Sequence, residues 1–245
     1  MAEWFDPRVT PTQAGVTING EAMGQVAIDQ GLRSHMLKVY NYMASGVLLT
    51  GIIALVLQDT AFAQSVASGP LFWVVLFAPL ALGMVMGIGL NRFSQSTLQA
   101  MFFGYAALMG LWFAMVLMRF TGESVAQTFF VTSVAFLSLS LWGYSTKKDL
   151  TGWGSFLLMG MVGILLAIVV NWFLKSPTLH YAISAIGVLI FAGLTAYDTQ
   201  RIKSEYIHLR GHESLGKLAI WGAFMLYLDF VNMFQFLLSF LGNRE

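Results

Sequence analysis

Two carboxylates lie inside apolar runs in the last quarter of the chain. Asp198 belongs to FAGLTAYDTQRIK and Asp229 to FMLYLDFVNMFQFLL. Asp229 follows about eleven residues of an apolar stretch, so a helix would carry it about 16 Å deep, near the middle of a roughly 30 Å hydrocarbon layer. A lone Asp there costs about 2.5–3.5 kcal/mol, which predicts a functional group with a partner. Asp198 is the acidic partner that the sequence offers.

The chemistry of such a pair depends on whether the two carboxylates face each other. If Asp198 and Asp229 do, their titrations are coupled, and the pair is a proton sensor or a cation site. Tyr197 and Asn232 are the candidate supporting polar groups. Two plainer readings stay open, since Asp198 could form an ordinary intrahelical pair with Arg201, and Asp229 could be a structural, hydrogen-bonded side chain.

A single arginine ends the second apolar run. Arg92 lies within a stretch, from Thr60 to Thr121, that contains no acidic residue, so nothing nearby in sequence neutralises it. We predict that Arg92 is a latch that forms a charge-assisted hydrogen bond to Asp198. The alternative is a snorkelling side chain that only marks the topology.

The composition is that of a membrane protein. Hydrophobic residues make up 57% of the 245 residues and charged residues 10%, and the mean hydropathy is +0.71. A typical soluble domain has about 25% charged residues. The net charge of +1 and the dispersed Lys and Arg argue against a nucleic-acid partner. The absence of Cys excludes disulfides and thiolate sites, and no cofactor motif is present, so we expect no cofactor.

Apolar runs of spanning length predict an all-α integral membrane protein with seven transmembrane helices. A polar cytoplasmic tail (residues 1–31), expected to be disordered, precedes a transmembrane domain (residues 32–245). The predicted spans are Val39 to Gln58, Leu71 to Leu90, Gln95 to Met118, Ala126 to Tyr144, Phe156 to Leu174, Leu179 to beyond Asp198, and Leu218 to Leu241.

The distribution of Lys and Arg predicts the orientation. With seven spans, ten of the 13 basic residues fall on the side of the N-terminal tail. Because Lys and Arg are enriched in cytoplasmic loops, the N-terminus is predicted to be cytoplasmic. The sixth span then runs inward and the seventh outward, which lets Asp198 approach Asp229.

The two aspartate segments, together with SQSTLQAMFFGYAALMGL and SFLLMGMVGILLAIVVNWFL, resemble the bacterial branch of the Bax-inhibitor family, the transmembrane Bax-inhibitor-motif proteins. The resemblance covers about residues 34–242. It implies a seventh helix wrapped by the other six and a pH-sensitive calcium leak. The family's paired aspartates fall on Asp198 and Asp229, and its latching arginine falls on Arg92. One departure is that some relatives carry an acidic residue in the second span, where this chain has none, so cation entry is expected to be less favourable.

Three functions from different classes remain open. The first is a pH-sensitive calcium leak channel in a plasma membrane, the inner membrane if the source is Gram-negative, whose partners are the lipid bilayer, calcium ions and protons. The second is a non-conducting regulator that binds other membrane proteins, such as a quality-control protease. The third is an intramembrane aspartyl protease, which the sequence disfavours because Tyr227 and Leu228 replace the GxG expected before the second Asp. We therefore expect the protein not to be an enzyme.

Overall fold

The computed structural model describes residues 12–209 and 214–243, with side chains from residue 30 onward. The described residues form eight α-helices and no β-strand. The helices are α1 (Thr12–Leu57), α2 (Ala61–Ser68), α3 (Leu71–Gly89), α4 (Gln95–Leu117), α5 (Gly122–Ser145), α6 (Thr151–Leu174), α7 (Pro177–Leu209) and α8 (Leu215–Leu241). The architecture is therefore an all-α bundle.

Seven of these helices, within the described ranges, are long and apolar enough to cross a membrane. They are the part of α1 at Gln30–Leu57 and the six helices from α3 to α8, which confirms the predicted number of spans. α5 begins at Gly122 and not at the predicted Ala126. Its first turn is polar and carries no apolar signal, but Thr121 caps it by accepting a hydrogen bond from the Ser124 amide.

The short helix α2 is absent from the predicted organisation. It is an eight-residue segment between α1 and α3, and the hydroxyl of Thr60 caps it by accepting from the Ala63 amide. A segment this short shows no usable apolar periodicity, because it covers only about two turns. The sequence feature that could have indicated this helix is Thr60, a residue type favoured at helix N-caps, followed by small residues.

The first helix extends into the segment predicted as a tail. Its backbone is helical from Thr12, and the disordered cytoplasmic tail stays a prediction. Residues 1–11 lie outside the described part of the chain. The membrane-crossing part of α1 begins at Gln30, close to the predicted boundary, which stays a prediction.

α8 occupies the centre of the bundle. It packs against α1, α4, α5 and α7, and 56% of its most apolar window is buried, compared with 11% for α6. The outer helices α3 and α6 pack mainly on α4 and α7 respectively. Most side chains in the middle of α8 are therefore surrounded by protein, and the predicted central helix is confirmed.

α7 is held closely against α5 just before Asp198. A Cβ added to Gly143 would clash with the carbonyl oxygen of Ala196, so the two backbones can approach this closely only with glycine there. At the end of α5, Lys203 donates a hydrogen bond of 2.8 Å to the carbonyl of Tyr144. Gln200 accepts from the Leu150 amide in the α5–α6 connection, also at 2.8 Å. These contacts fix the position of α7 around Asp198.

Candidate functional site

The structure brings Asp198 of α7 and Asp229 of α8 together in the protein interior. Each residue is only 3% exposed, and their carboxyl groups are in side-chain hydrogen-bond contact. Two ionised carboxylates in contact in the protein interior would repel each other, whereas one proton shared between them would let one donate to the other. The two residues are here called the acid pair.

One oxygen of the acid pair has no hydrogen-bond partner. Oδ2 of Asp229 is buried and contacts no donor among the described residues. An unpaired buried polar atom is costly, and a native structure that keeps one calls for an explanation such as an ion, a water or a proton. The acid pair can therefore accept a ligand that supplies positive charge or a donor.

The charged neighbours of Asp198 lie on its own helix. Arg201 and Glu205 act on the Asp198 carboxyl through space, but Arg201 Nε donates to Glu205 Oε1 at 2.8 Å. The ordinary Asp198–Arg201 pair is thus replaced by an Arg201–Glu205 pair at the spacing of one helical turn. Arg201 therefore pairs directly with Glu205 and acts on Asp198 only through space. It does not neutralise the acid pair by direct contact.

The two proposed supporting groups point elsewhere. The ring of Tyr197 packs on Gly154 of α6, where an added Cβ would lie 2.6 Å from the tyrosine hydroxyl oxygen. Asn232 Nδ2 donates 2.8 Å to the carbonyl of Leu228 in its own helix. Neither side chain donates a hydrogen bond to the acid pair in the described structure, and their supporting role stays a prediction.

Arg92 is not brought to Asp198. It is exposed in the turn between α3 and α4, and its backbone amide donates to the Gly89 carbonyl. Its guanidinium has no carboxylate partner among the described residues. The latch between Arg92 and Asp198 is not formed in this arrangement, and it stays a prediction about another conformation of the protein.

A chain of three hydroxyls crosses the bundle beside Asp198. Tyr40 Oη of α1 lies 2.6 Å from Ser140 Oγ of α5, which lies 2.9 Å from Thr199 Oγ1 of α7. Thr199 donates its hydroxyl proton to the Thr195 carbonyl, so it accepts a hydrogen bond from Ser140. Ser140 in turn accepts one from Tyr40. This chain joins three helices at the level of the acid pair. Sequence reasoning missed it, since hydroxyls on three separate spans carry no pairing signal.

A second buried polar contact fixes α8 two residues before Asp229. Tyr227 is fully buried, and its hydroxyl lies 2.7 Å from Thr50 Oγ1, which donates to the Ala106 carbonyl at 2.8 Å. Its ring meets those of Phe102 and Tyr105 edge-on. The signal was a tyrosine inside an apolar span, because a buried phenol needs a hydrogen-bond partner.

The acid pair is too small to be a full calcium site by itself. The described residues contain no group of three or more His, Cys, Asp or Glu side chains that could hold a metal ion. Two carboxyl groups offer at most four oxygen atoms, whereas Ca²⁺ takes six to eight ligands. A calcium ion at Asp198 and Asp229 would therefore keep part of its water shell, as a transported ion does.

Fold and site together define a class: a multi-pass membrane protein whose central helix carries one half of a buried acid pair. Comparison with known proteins gives the family. Residues 32–245 match the family described as "Inhibitor of apoptosis-promoting Bax1", so the chain belongs to the Bax-inhibitor family, as its aspartate motifs indicated.

Bacterial relatives align over nearly the full length. An uncharacterized protein of Caulobacter vibrioides is 46% identical, with 90% of this chain and 93% of the relative covered. The inner membrane protein YbhL of Escherichia coli is 41% identical, with 88% and 94% covered. The protein is accordingly a multi-pass bacterial membrane protein.

Proposed function

We propose that this protein is a pH-sensitive cation leak channel, not an enzyme, with calcium as the expected ion and Asp198 and Asp229 as its proton and cation site. The observation that carries the proposal is the buried contact of the two carboxyl groups, with Oδ2 of Asp229 left without a partner. Ionisable groups at this depth are costly, and in membrane proteins they mark ion pathways and proton relays.

The response to pH follows from the number of protons on the acid pair. With one proton the carboxyl groups hold each other by a hydrogen bond, and with none they are two negative charges in contact that repel or take up a cation. With two protons they have no charge to offer a cation. Protons and calcium therefore compete for the same oxygens, while Arg201 and Glu205 adjust the local field. Acid weakens cation binding at the site.

In this proposal the channel opens when protonation removes the negative charge of Asp198. In this proposal Arg92 holds the α3–α4 turn on the ionised pair, and protonation releases it, so acid opens the route while it weakens the site. Flux should then be greatest at an intermediate acidity. A difference of one pKa unit between the two states is about 1.4 kcal/mol, or tenfold in the equilibrium, which is enough for a gate.

The test is calcium flux into liposomes that contain the purified protein. Wild-type protein should admit calcium at a rate that depends on pH. In Asp229→Asn the pH-dependent part of the flux should be at least tenfold smaller than in the wild type. Asp149→Asn is the matched control, because Asp149 lies in the exposed connection between α5 and α6 and should behave as the wild type. Equal flux from wild type, Asp229→Asn and protein-free liposomes would refute the channel.

The same liposomes distinguish the channel from an intramembrane aspartyl protease. Two carboxyl groups that share a proton are also the arrangement of aspartic proteases, so contact between them does not by itself distinguish the two activities. A protease would cleave a transmembrane peptide in those liposomes and lose cleavage in both Asp198→Asn and Asp229→Asn. The proposal expects no cleavage under conditions that give flux.

A further inference from the structure

A long apolar crevice opens on the side of the bundle between α1 and α5. Its volume is about 1,140 Å³, and Phe230, Val231 and Phe234 of α8 form its floor. On α1 its lining begins at Arg33 and continues to Leu55. Those 22 residues correspond to about 33 Å of helix, the thickness of the hydrocarbon layer. The crevice therefore follows the bundle from one membrane surface to the other.

The walls of the crevice suit a flexible chain of hydrocarbon. Leu48 of α1 is 64% exposed and Leu137 of α5 is also 64% exposed, and both line the crevice. Several polar groups of the wall already have partners: Tyr40 and Ser140 bond to each other, and Thr50 and Ser133 donate to backbone carbonyls. Below the membrane surface the crevice thus offers mainly apolar contact.

One end of the crevice carries a positive charge. Arg33 lies at the start of the span in α1, is exposed and lines the crevice, and no described acidic side chain pairs with it. Guanidinium binds phosphate through two parallel N–H donors. An anion above and hydrocarbon below is the chemistry of a phospholipid.

We infer that the crevice is a binding site for one membrane phospholipid, with the phosphate on Arg33 and an acyl chain between α1 and α5 over Phe230. The phospholipid separates α1 from α5 and covers the face of α8 next to Asp229. The proposal of a phospholipid site does not depend on whether the protein conducts cations.

The test counts phospholipid on the purified full-length protein by native mass spectrometry after extraction from membranes of phosphatidylethanolamine and phosphatidylglycerol. Gly51→Phe fills the crevice, and Gly163→Phe is its matched control on α6, because an added Cβ meets nothing within 4 Å at either glycine. Arg33→Ala removes the phosphate contact, and Lys38→Ala removes a cation of the same helix that does not line the crevice.

Wild type, Gly163→Phe and Lys38→Ala should each retain one phospholipid. Gly51→Phe should retain at least tenfold less, and Arg33→Ala several-fold less. Ser133→Phe, on the opposite wall, gives a second filling variant should Gly51→Phe fail to fold. Equal retention by the filling variants and Gly163→Phe overturns the proposal. It is also overturned if wild type is a lipid-free dimer that Gly51→Phe converts to a monomer, since the occupant is then a second copy of the chain.

Discussion

At the scale of single residues, the acid pair makes a definite prediction about coupling. If Asp198 and Asp229 share a proton across their buried contact, removing either carboxyl group should abolish the sharing. Asp198→Asn and Asp229→Asn should each remove the pH dependence of calcium flux, and the double variant should add little to either. The measurement is the pH profile of flux in liposomes. Independent, additive losses would mean two separate sites.

Arg92 makes a second prediction, because its guanidinium is exposed and unpaired within the described structure. If it latches the ionised pair, Arg92→Ala should leak calcium at neutral pH about as the wild type does in acid, while Asp-dependent cation binding is kept. Lys148→Ala, an exposed cation of the same predicted membrane side, is the control and should stay closed at neutral pH. A normal pH profile for Arg92→Ala would make Arg92 a topology marker.

Sequence revealed the residues of the pair but not their surroundings. Asp198 and Asp229 could be found because a charge inside an apolar run has a known cost. The hydrogen bonds of Ser140 and Thr199 could not, because a hydroxyl in a helix can also bond to its own backbone, as Thr199 does with Thr195. Asn232 was expected near Asp229 from helical spacing alone, and that spacing does not reveal the bond to the Leu228 carbonyl.

At the scale of helices, the α5–α7 contact depends on one glycine. Gly143→Leu would place a side chain against the backbone of Ala196 and should lower the free energy of unfolding by about 1–3 kcal/mol or more. Gly163→Leu on the open face of α6 should change it little. Thermal unfolding in detergent, followed by loss of the monodisperse protein, compares the two. Equal stability would show that α5 and α7 can separate freely at this point.

The start of α6 provides a prediction about pH. Thr151 donates to Asp149 Oδ1 from its hydroxyl (2.6 Å) and its amide (2.9 Å), and these bonds lower the pKa of the Asp149 carboxyl. A lowered pKa means that the stabilisation is present above the ordinary value and is lost as pH falls through the folded-state value. Hydrogen-exchange protection of the Thr151 amide should therefore fall in acid.

Asp149→Asn serves as the control for that measurement, because an amide oxygen accepts the same bonds without titrating. Its Thr151 protection should not change over the same range of pH. A parallel fall of protection in both proteins would place the cause elsewhere in the connection between α5 and α6.

At the scale of the whole molecule, the orientation in the membrane is open to a direct test. Ten of the 13 Lys and Arg residues fall on the predicted cytoplasmic side, so the positive-inside rule sets the N-terminus there. A reporter fused after Glu245 should be active only outside the cytoplasm, and one inserted near Lys148 only inside it. The reverse result at either position would invert the side from which protons reach the acid pair.

The overall architecture was largely predictable, since each span is a long apolar run and the bilayer permits little besides helices. The packing was not. That α1 and α5 border a crevice, while α5 and α7 touch at Gly143, depends on which faces meet, and all lipid-facing and many helix-facing positions are equally apolar. Glycine spacing indicates that a close contact exists without saying which helix supplies the partner.

The length of α7 links the membrane interior mechanically to the surrounding water. Its 33 residues measure about 50 Å, well beyond a hydrocarbon layer of about 30 Å, and the helix is unbroken from Asp198 to Tyr206, about 12 Å further along. There Tyr206 packs on His35 of α1, with ring centroids 5.0 Å apart. A continuous helix transmits rotation along its length, so a rotation of α7 caused by a proton at Asp198 would also displace α1 at His35, near the start of its membrane-crossing part, where a water-soluble protein could detect it.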